Sequence, residues 1–261
     1  MEQVPLSNVA EGTGNKGVNY SAAGDETNVI EDSTPRKTDN TAIRTDEKRM
    51  IGQTISALNH LLIAGITIYI IANSFEKYSL FSWHPSCMTV GTFLLMAEAV
   101  MALSPDNILT TKLGRQSKVR MHWILQAIAA VLIFIGFLTI VINKNKHNKN
   151  HFQSVHAILG LITFILVILT SLGGVFALYS VKFRQLVKPV TVKLMHNIIG
   201  IITYFIGAVC LLLGLYSNWF ETFGYTAKII CRTFVVVSAI TTLQSPTKSA
   251  VYRIKNNFSR T

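Results

Sequence analysis

The chain carries little charge for its length. Only 14% of its 261 residues are Asp, Glu, Lys or Arg, whereas 50% are apolar. Soluble domains contain about 25% charged residues, so the composition excludes an ordinary water-soluble domain of this size. After residue 49 acids are almost absent, with four against eighteen bases. Those bases lie in short loops between apolar runs, as in membrane proteins, so nucleic acid is not an expected partner.

Cysteine is scarce as well. Cys87, Cys210 and Cys231 all fall inside apolar segments, and their number is odd. Their spacing matches neither a disulfide framework nor a zinc site. We therefore expect three buried thiols without a catalytic or ligating role.

The first 49 residues lack apolar periodicity and have a net charge of −3. Their Ser, Thr, Asn, Gly and acidic residues predict a disordered tail at 1–49. The tail contains no apolar stretch like that of a secretory signal, so we expect no cleavage. A membrane domain is predicted at 50–245, and a basic tail at 246–261.

Six apolar segments predict an all-α integral membrane fold, a bundle of six transmembrane helices. A helix needs about 20 residues to cross the apolar layer, and each segment has about that length. Pro105, Pro189 and Pro246 lie just outside segment ends, where they would break no helix. The segments cover residues 52–73, 82–103, 121–142, 155–178, 195–216 and 225–244.

The basic residues predict the orientation. Loops and tails on one side hold seventeen Lys and Arg, against six on the other when Lys228 and Arg232 are included. Positive residues concentrate on the cytosolic side of membrane proteins, so both termini are predicted to be cytosolic.

Four histidines recur at or near the N-terminal ends of the second to fifth segments. They are His84, His122, His156 and His196, separated by 38, 34 and 40 residues. Because consecutive helices alternate in direction, His84 and His156 should lie toward the non-cytosolic side, and His122 and His196 toward the cytosolic side. Ionisable residues inside membrane helices usually face the bundle interior and often mark functional sites.

Two histidines at each side could hold two haems, one in each leaflet. No acids or thiols accompany them to complete a tetrahedral zinc site. The sequence has no Cys-x-x-Cys-His motif, so any haem would be bound non-covalently. Small residues could admit a flat macrocycle or a neighbouring helix; they are Gly136, Gly160, Gly173, Gly174, Gly200, Gly207 and Gly214.

Other polar residues have weaker assignments. Lys118, Arg120 and Lys193 lie close to the cytosolic pair and could meet anionic propionates or an anionic donor. His60 is expected to be a core histidine with hydrogen-bond partners. Glu98 could relay a proton or anchor a base such as Arg120.

Several short motifs resemble the cytochrome b561 family of transmembrane ascorbate-dependent reductases, over about residues 52–245. The order of the motifs and the spacing of the four histidines make the match specific. The motifs are Leu80-Phe81-Ser82-Trp83-His84-Pro85, Met96-Ala97-Glu98-Ala99, His122-Trp123 and Ser171-Leu172-Gly173-Gly174.

The resemblance implies a haem core in helices two to five, with two haem b. It implies His84 and His156 as one axial pair and His122 and His196 as the other. Lys118 and Arg120 resemble the bases of the family's cytosolic ascorbate site. The resemblance implies monodehydroascorbate or ferric iron as the electron acceptor. It also implies a protein embedded in the lipid bilayer, in an endoplasmic reticulum or vesicle membrane. A homodimer is compatible with this interpretation.

Two other interpretations remain open from the residues. The chain could be a proton or metal-ion transporter or channel that uses the intramembrane histidines and Glu98. It could instead be a multi-helix scaffold whose function depends on the tail at 1–49.

Overall fold

The computed structural model describes the backbone of residues 37–258 and the side chains of residues 43–256. Over this range the chain forms helices and no strands, which confirms the all-α prediction. Five helices are long and apolar enough to cross a membrane. The α-helices are α1 (Lys37–Glu76), α2 (Trp83–Met88), α3 (Met96–Met101), α4 (Arg115–Lys146), α5 (Val155–Leu178), α6 (Pro189–Gly214), α7 (Asn218–Glu221) and α8 (Tyr225–Phe258).

The second predicted segment, 82–103, is helical but is not one regular α-helix. Between α2 and α3 the backbone forms a π-helix at Thr89–Leu95. Gly91 lies within this run, and a Cβ atom there would stand 2.8 Å from Ile133 Cγ1 and 3.1 Å from the Ala129 carbonyl oxygen. Glycine thus allows the π-helix to approach the α4 backbone closely. Such irregular turns are rare and often lie near functional sites.

Several helices extend beyond their predicted ends. The first begins at Lys37, so residues 37–49 of the predicted disordered tail are helical, and residues 1–36 lie outside the described range. The last passes through Pro246 and continues to Phe258, where the prediction ended it at residue 244. The amide of Asn197 donates a hydrogen bond of 3.0 Å to the Pro246 carbonyl oxygen, which ties this turn to α6. Hydropathy marks the apolar layer, and these helices continue past it.

The core lies between the helices, and large apolar side chains also cover the outer faces. Phe93 and Tyr204 are fully buried. By contrast Leu61, Ile68 and Ile240 remain 60–70% exposed. A contiguous apolar exterior of this kind is stable only against an apolar solvent, which a lipid bilayer provides.

Candidate functional site

The structure brings the four histidines together in the pairs that alternating helices predict. His84 faces His156 with 6.2 Å between ring centroids, and His122 faces His196 at 6.3 Å. The ring planes are nearly perpendicular, at 84° and 88°.

The pairs differ in their position along their helices. His84 and His156 are the second residues of α2 and α5, and we call them the shallow pair. His122 and His196 are the eighth residues of α4 and α6, and we call them the deep pair. Six further residues correspond to about 9 Å along a helix.

The distance between the two pairs follows from the residue spacing along α4 and α6. His84 bonds to the carbonyl of Gly136, which lies fourteen residues after His122 on α4. His156 bonds to the carbonyl of Cys210, also fourteen residues after His196 on α6. Fourteen residues rise about 21 Å. The two pairs therefore lie about 21 Å apart along both helices.

Three of the four rings are oriented by a backbone carbonyl of a neighbouring helix. The Nδ1–H group of His84 donates to the Gly136 carbonyl oxygen at 3.0 Å. In the same way His156 donates to the Cys210 carbonyl oxygen at 3.0 Å, and His122 donates to the Ala99 carbonyl oxygen at 2.7 Å. A carbonyl can only accept, so these bonds place the proton on Nδ1 and leave the Nε2 lone pair available. Metal-ligating histidines are commonly oriented in this way.

His196 is held less firmly. Its Nδ1 atom is buried near the backbone of Thr170 but forms no hydrogen bond of ordinary geometry. Beside its ring lies an apolar cavity of about 230 Å³, bounded in part by Gly173, Phe176 and Met195. Hydrogen bonding therefore constrains the orientation of the fourth ring less than that of the other three.

The ring spacing fits one metal ion between the members of each pair. A metal–imidazole bond is about 2 Å long, and the ring centre lies roughly 1 Å behind the nitrogen, so two opposed ligands give centroids about 6 Å apart. Among the described side chains there is no group of three His, Cys, Asp or Glu that could hold a bare ion. Two ligands per centre suit a macrocycle that supplies the remaining bonds itself, and the residues present therefore fit haem.

Three of the predicted glycines face histidine rings. A Cβ atom at Gly214 would lie 3.2 Å from Cε1 of His156, one at Gly174 would lie 3.2 Å from Cε1 of His196, and one at Gly173 would lie 3.8 Å from Nδ1 of His196. Each pair therefore has at least one glycine that leaves room for a ring. Gly207 instead admits Thr92 of the π-helix, so its small size serves helix packing.

The bases predicted near the deep pair differ in their contacts. Lys118 donates to the backbone oxygen of Ser104 at 3.3 Å. In the described part of the chain, Arg120 and Lys193 form no hydrogen bond or ion pair through their side chains. Both lie within the first two turns of a helix, where the backbone dipole adds positive potential. This end of the bundle is therefore able to attract an anion.

Glu98 does not anchor Arg120. Its carboxylate accepts a hydrogen bond of 2.7 Å from Nδ1 of His60, and His60 Nε2 lies 3.3 Å from Ser56 Oγ. The prediction of a core histidine with partners is confirmed for His60. The contact with Glu98 was missed, because the two residues are 38 positions apart and only helix packing joins them.

Glu221 is a further residue that sequence reasoning missed. It lies on α7 and forms ion pairs with Lys228, at 2.6 Å, and with Arg232. Hydrogen bonds from Lys228 and Arg232 lower the pKa of the Glu221 carboxyl. The guanidinium of Arg232 also donates to the Leu215 carbonyl and stacks on Tyr216 at 3.7 Å from the ring centroid. Both of these bases of α8 thus contact an acid of α7.

Comparison with known proteins supplies an independent finding. The family model for eukaryotic cytochrome b561 matches residues 83–221. The transmembrane reductase CYB561D2 of Homo sapiens is 34% identical over 164 residues, which are 63% of this chain and 73% of that protein. The probable transmembrane reductase CYB561D1 of Homo sapiens is 30% identical over 199 residues, 76% of this chain and 86% of that protein.

Proposed function

Because this chain belongs to the eukaryotic cytochrome b561 family, we propose that it carries single electrons from cytosolic ascorbate to monodehydroascorbate or ferric iron across a membrane. Membership makes it a multi-pass membrane oxidoreductase that transfers electrons, and it implies b-type haem. The substrates, the number of haems and the direction of transfer are the proposal.

The chain is proposed to bind two haem b without covalent links. His84 and His156 would hold one, and His122 and His196 the other. The observation that carries this assignment is the spacing of about 6 Å within each pair, with Nδ1 hydrogen-bonded and Nε2 available in three of the four rings. Bound haem b would supply an iron that gains and loses one electron, and two axial histidines would leave no open position for oxygen.

The separation of the pairs supports transfer across the membrane. A single jump over the apolar layer of about 30 Å would be slow, and two centres about 21 Å apart divide it. The run formed by α2, the π-helix and α3 is proposed as a further membrane crossing, which would complete six.

The deep pair is proposed as the entry point for electrons. Arg120 and Lys193 would attract the ascorbate anion, and Lys118 would line the same site. Seventeen bases on this side against six on the other support a cytosolic location for this end and for both termini. An endoplasmic reticulum or vesicle membrane is proposed from the family resemblance alone.

A reduced-minus-oxidised visible spectrum of the purified full-length protein, with a haem-to-protein ratio, tests this function. We expect a sharp low-spin b-type band, about two haems per chain, and reduction by ascorbate. A colourless protein from cells grown with ample haem would refute the reductase and favour the transporter. A coloured protein that ascorbate fails to reduce would retain the haems and refute the donor.

A further inference from the structure

A buried acid–histidine pair lies apart from the four histidines discussed above. The side chains of His60 and Glu98 are only 11% and 20% exposed, and their atoms Nδ1 and Oε1 are 2.7 Å apart. Glu98 is the only carboxylate inside an apolar segment of the described chain. A charge in such surroundings is costly, so an acid and an imidazole in contact share a proton between them.

The second nitrogen of His60 leads toward the end of the bundle that carries the deep pair. Nε2 lies 3.3 Å from the hydroxyl of Ser56, which is one helical turn earlier on α1. One more turn earlier is Gly52, and a Cβ atom there would lie 2.9 Å from Cγ of Asp106. Residues four apart share a helix face, so Gly52, Ser56 and His60 form one line. Asp106 is partly exposed at the start of this line.

The pair also adjoins the deep pair through one peptide unit. Ala99 follows Glu98 directly, and its carbonyl oxygen accepts the Nδ1–H bond of His122 at 2.7 Å. A proton gained or lost at Glu98 therefore changes the electrostatic potential at His122. Among the side chains that the structure describes, the shallow pair has no carboxylate in such contact; its polar neighbours there are two carbonyls and the Cys210 thiol.

Other groups that face Glu98 and His60 are mostly neutral. From α6, the buried hydroxyl of Tyr204 lies within electrostatic range of Glu98 and near Thr242 of α8. Asn59 of α1 bonds to Thr242 as well. From α4, His122 approaches through its hydrogen bond to the Ala99 carbonyl, and Asp106 lies beside Gly52, two turns before His60 on α1. No Lys or Arg contacts the pair within the described chain.

We propose that His60 and Glu98 form a proton site that binds one proton when an electron arrives at the deep pair and releases it when the electron leaves. This inference rests on the proposed function. Ascorbate monoanion would give up one electron and one proton; the electron would pass to a haem held by His122 and His196, and the proton to cytosolic water. One proton from that water enters by way of Ser56, and it returns when the electron moves on.

The physical reason is charge balance. An electron added to a poorly solvated site is stabilised by a proton bound nearby, because Coulomb interactions are stronger there than in water. Two imidazole nitrogens let His60 accept a proton on the side of Ser56 and share one on the side of Glu98.

Redox titration of the haem-loaded full-length protein, followed by visible absorbance at several pH values from about 5 to about 8, tests the proposal. For one of the two reduction steps we expect the equilibrium constant to fall by up to tenfold for each unit by which the pH rises. This corresponds to a decrease of about 59 mV in the reduction potential of a one-electron step. The other step should change little. Glu98→Gln and His60→Gln should each remove this dependence, and Glu76→Gln, an exposed acid at the far end of α1, should keep it.

A second readout is the infrared difference spectrum between the reduced and oxidised protein. Wild type should show carboxyl or imidazole bands that Glu98→Gln removes. A wild-type protein whose two steps are both independent of pH would overturn the inference, with or without folded variants. A dependence that survives in both variants would overturn it too, since the proton would bind elsewhere. A protein that binds no haem would refute the proposed function itself.

Discussion

The shallow and deep pairs have the same ring spacing but are held differently. Both rings of the shallow pair donate to carbonyls of neighbouring helices, and only His122 does so in the deep pair. His196 borders a cavity of about 230 Å³ instead. Equal spacing with unequal support indicates that both pairs can ligate a metal, while in the deep pair one ring, that of His196, is not oriented by a hydrogen bond of ordinary geometry.

The charges beside the two pairs differ as well. Near the deep pair Arg120 and Lys193 carry no partner in the described chain. Near the shallow pair, Lys228 and Arg232 are neutralised in part by Glu221. The deep end is thus the better site for a small anion, which agrees with its proposed role as the donor side.

Removal of a ligand should produce the largest difference between the pairs. We expect His84→Ala or His156→Ala to reduce the haem content from about two per chain to about one and to leave that haem reducible by ascorbate. His122→Ala or His196→Ala should lose the other haem and block ascorbate reduction of the one that remains. Visible spectra with haem-to-protein ratios measure both effects.

His147→Ala provides the control, because in the described chain the ring of this exposed histidine bonds to the backbone oxygen of Asn143, away from both pairs. It should retain both haems. If all four ligand variants lost both haems together, the assignment of pairs would fail and a role in folding would be the better explanation.

The glycines that approach the rings most closely, Gly174 and Gly214, offer a sharper comparison with a smaller effect. Gly214→Ala and Gly174→Ala both place a Cβ atom 3.2 Å from a histidine Cε1 atom. The ring of His156 is anchored by its hydrogen bond to Cys210, so Gly214→Ala should destabilise the haem-bound protein by about 1–3 kcal/mol through overpacking. The higher helix propensity of alanine should offset up to about 1 kcal/mol of this loss. Gly174→Ala should cost less, because no hydrogen bond of ordinary geometry fixes the ring of His196.

The temperature at which haem is released measures this difference. Gly160→Ala is the matched control, since its Cβ atom would meet Cys210 Sγ at an ordinary 3.6 Å. Equal losses in Gly174→Ala and Gly214→Ala would show that the missing hydrogen bond of His196 gives the ring no freedom.

Neutralising bases at the deep end should have an effect on substrate binding alone. We expect Arg120→Gln and Lys193→Gln each to raise the KM for ascorbate roughly two- to five-fold, as is usual for exposed ion pairs, and less at high salt. The conservative variant Arg120→Lys should keep most of the affinity. Steady-state kinetics at two salt concentrations would check this; a change in kcat with unchanged KM would argue against an anion site here.

The sequence was enough to predict five of the six proposed membrane helices and the pairing of the histidine rings, because both depend on simple periodicity. Apolar segments of about 20 residues mark membrane helices, and alternation of direction then assigns each histidine to one side. Helix ends were less predictable. The polar residues before Ile51 and after Pro246 continue the helices beyond the apolar layer. A hydropathy pattern marks only the apolar part of a helix, so it does not reveal these ends.

Contacts between distant residues could not be derived from the same pattern. His60 meets Glu98 only because α1 packs against α3 with a particular rotation. Glu221 meets Arg232 across a helix break, where spacing rules for one helix do not apply. In both cases the sequence showed a charged residue that needed a partner, but it did not identify that partner.

Glu221 gives the smallest expected effect and tests whether the shallow end is stabilised by its ion pairs. Lys228 and Arg232 lower the pKa of the Glu221 carboxyl, so its folded-state pKa is below that of the unfolded chain. The stabilisation is therefore fully present above the ordinary carboxyl pKa, and it is lost as pH falls through the lowered value.

Thermal unfolding in detergent should show an unfolding temperature for Glu221→Gln that is slightly below that of wild type near neutral pH and equal to it in strong acid. Glu76→Gln, an exposed acid without an ion pair in the described chain, should match wild type at both. A deficit of Glu221→Gln that persists unchanged in acid would mean that the carboxylate charge contributes nothing, and that the contrast between the two ends rests on the unpaired bases of the deep end alone.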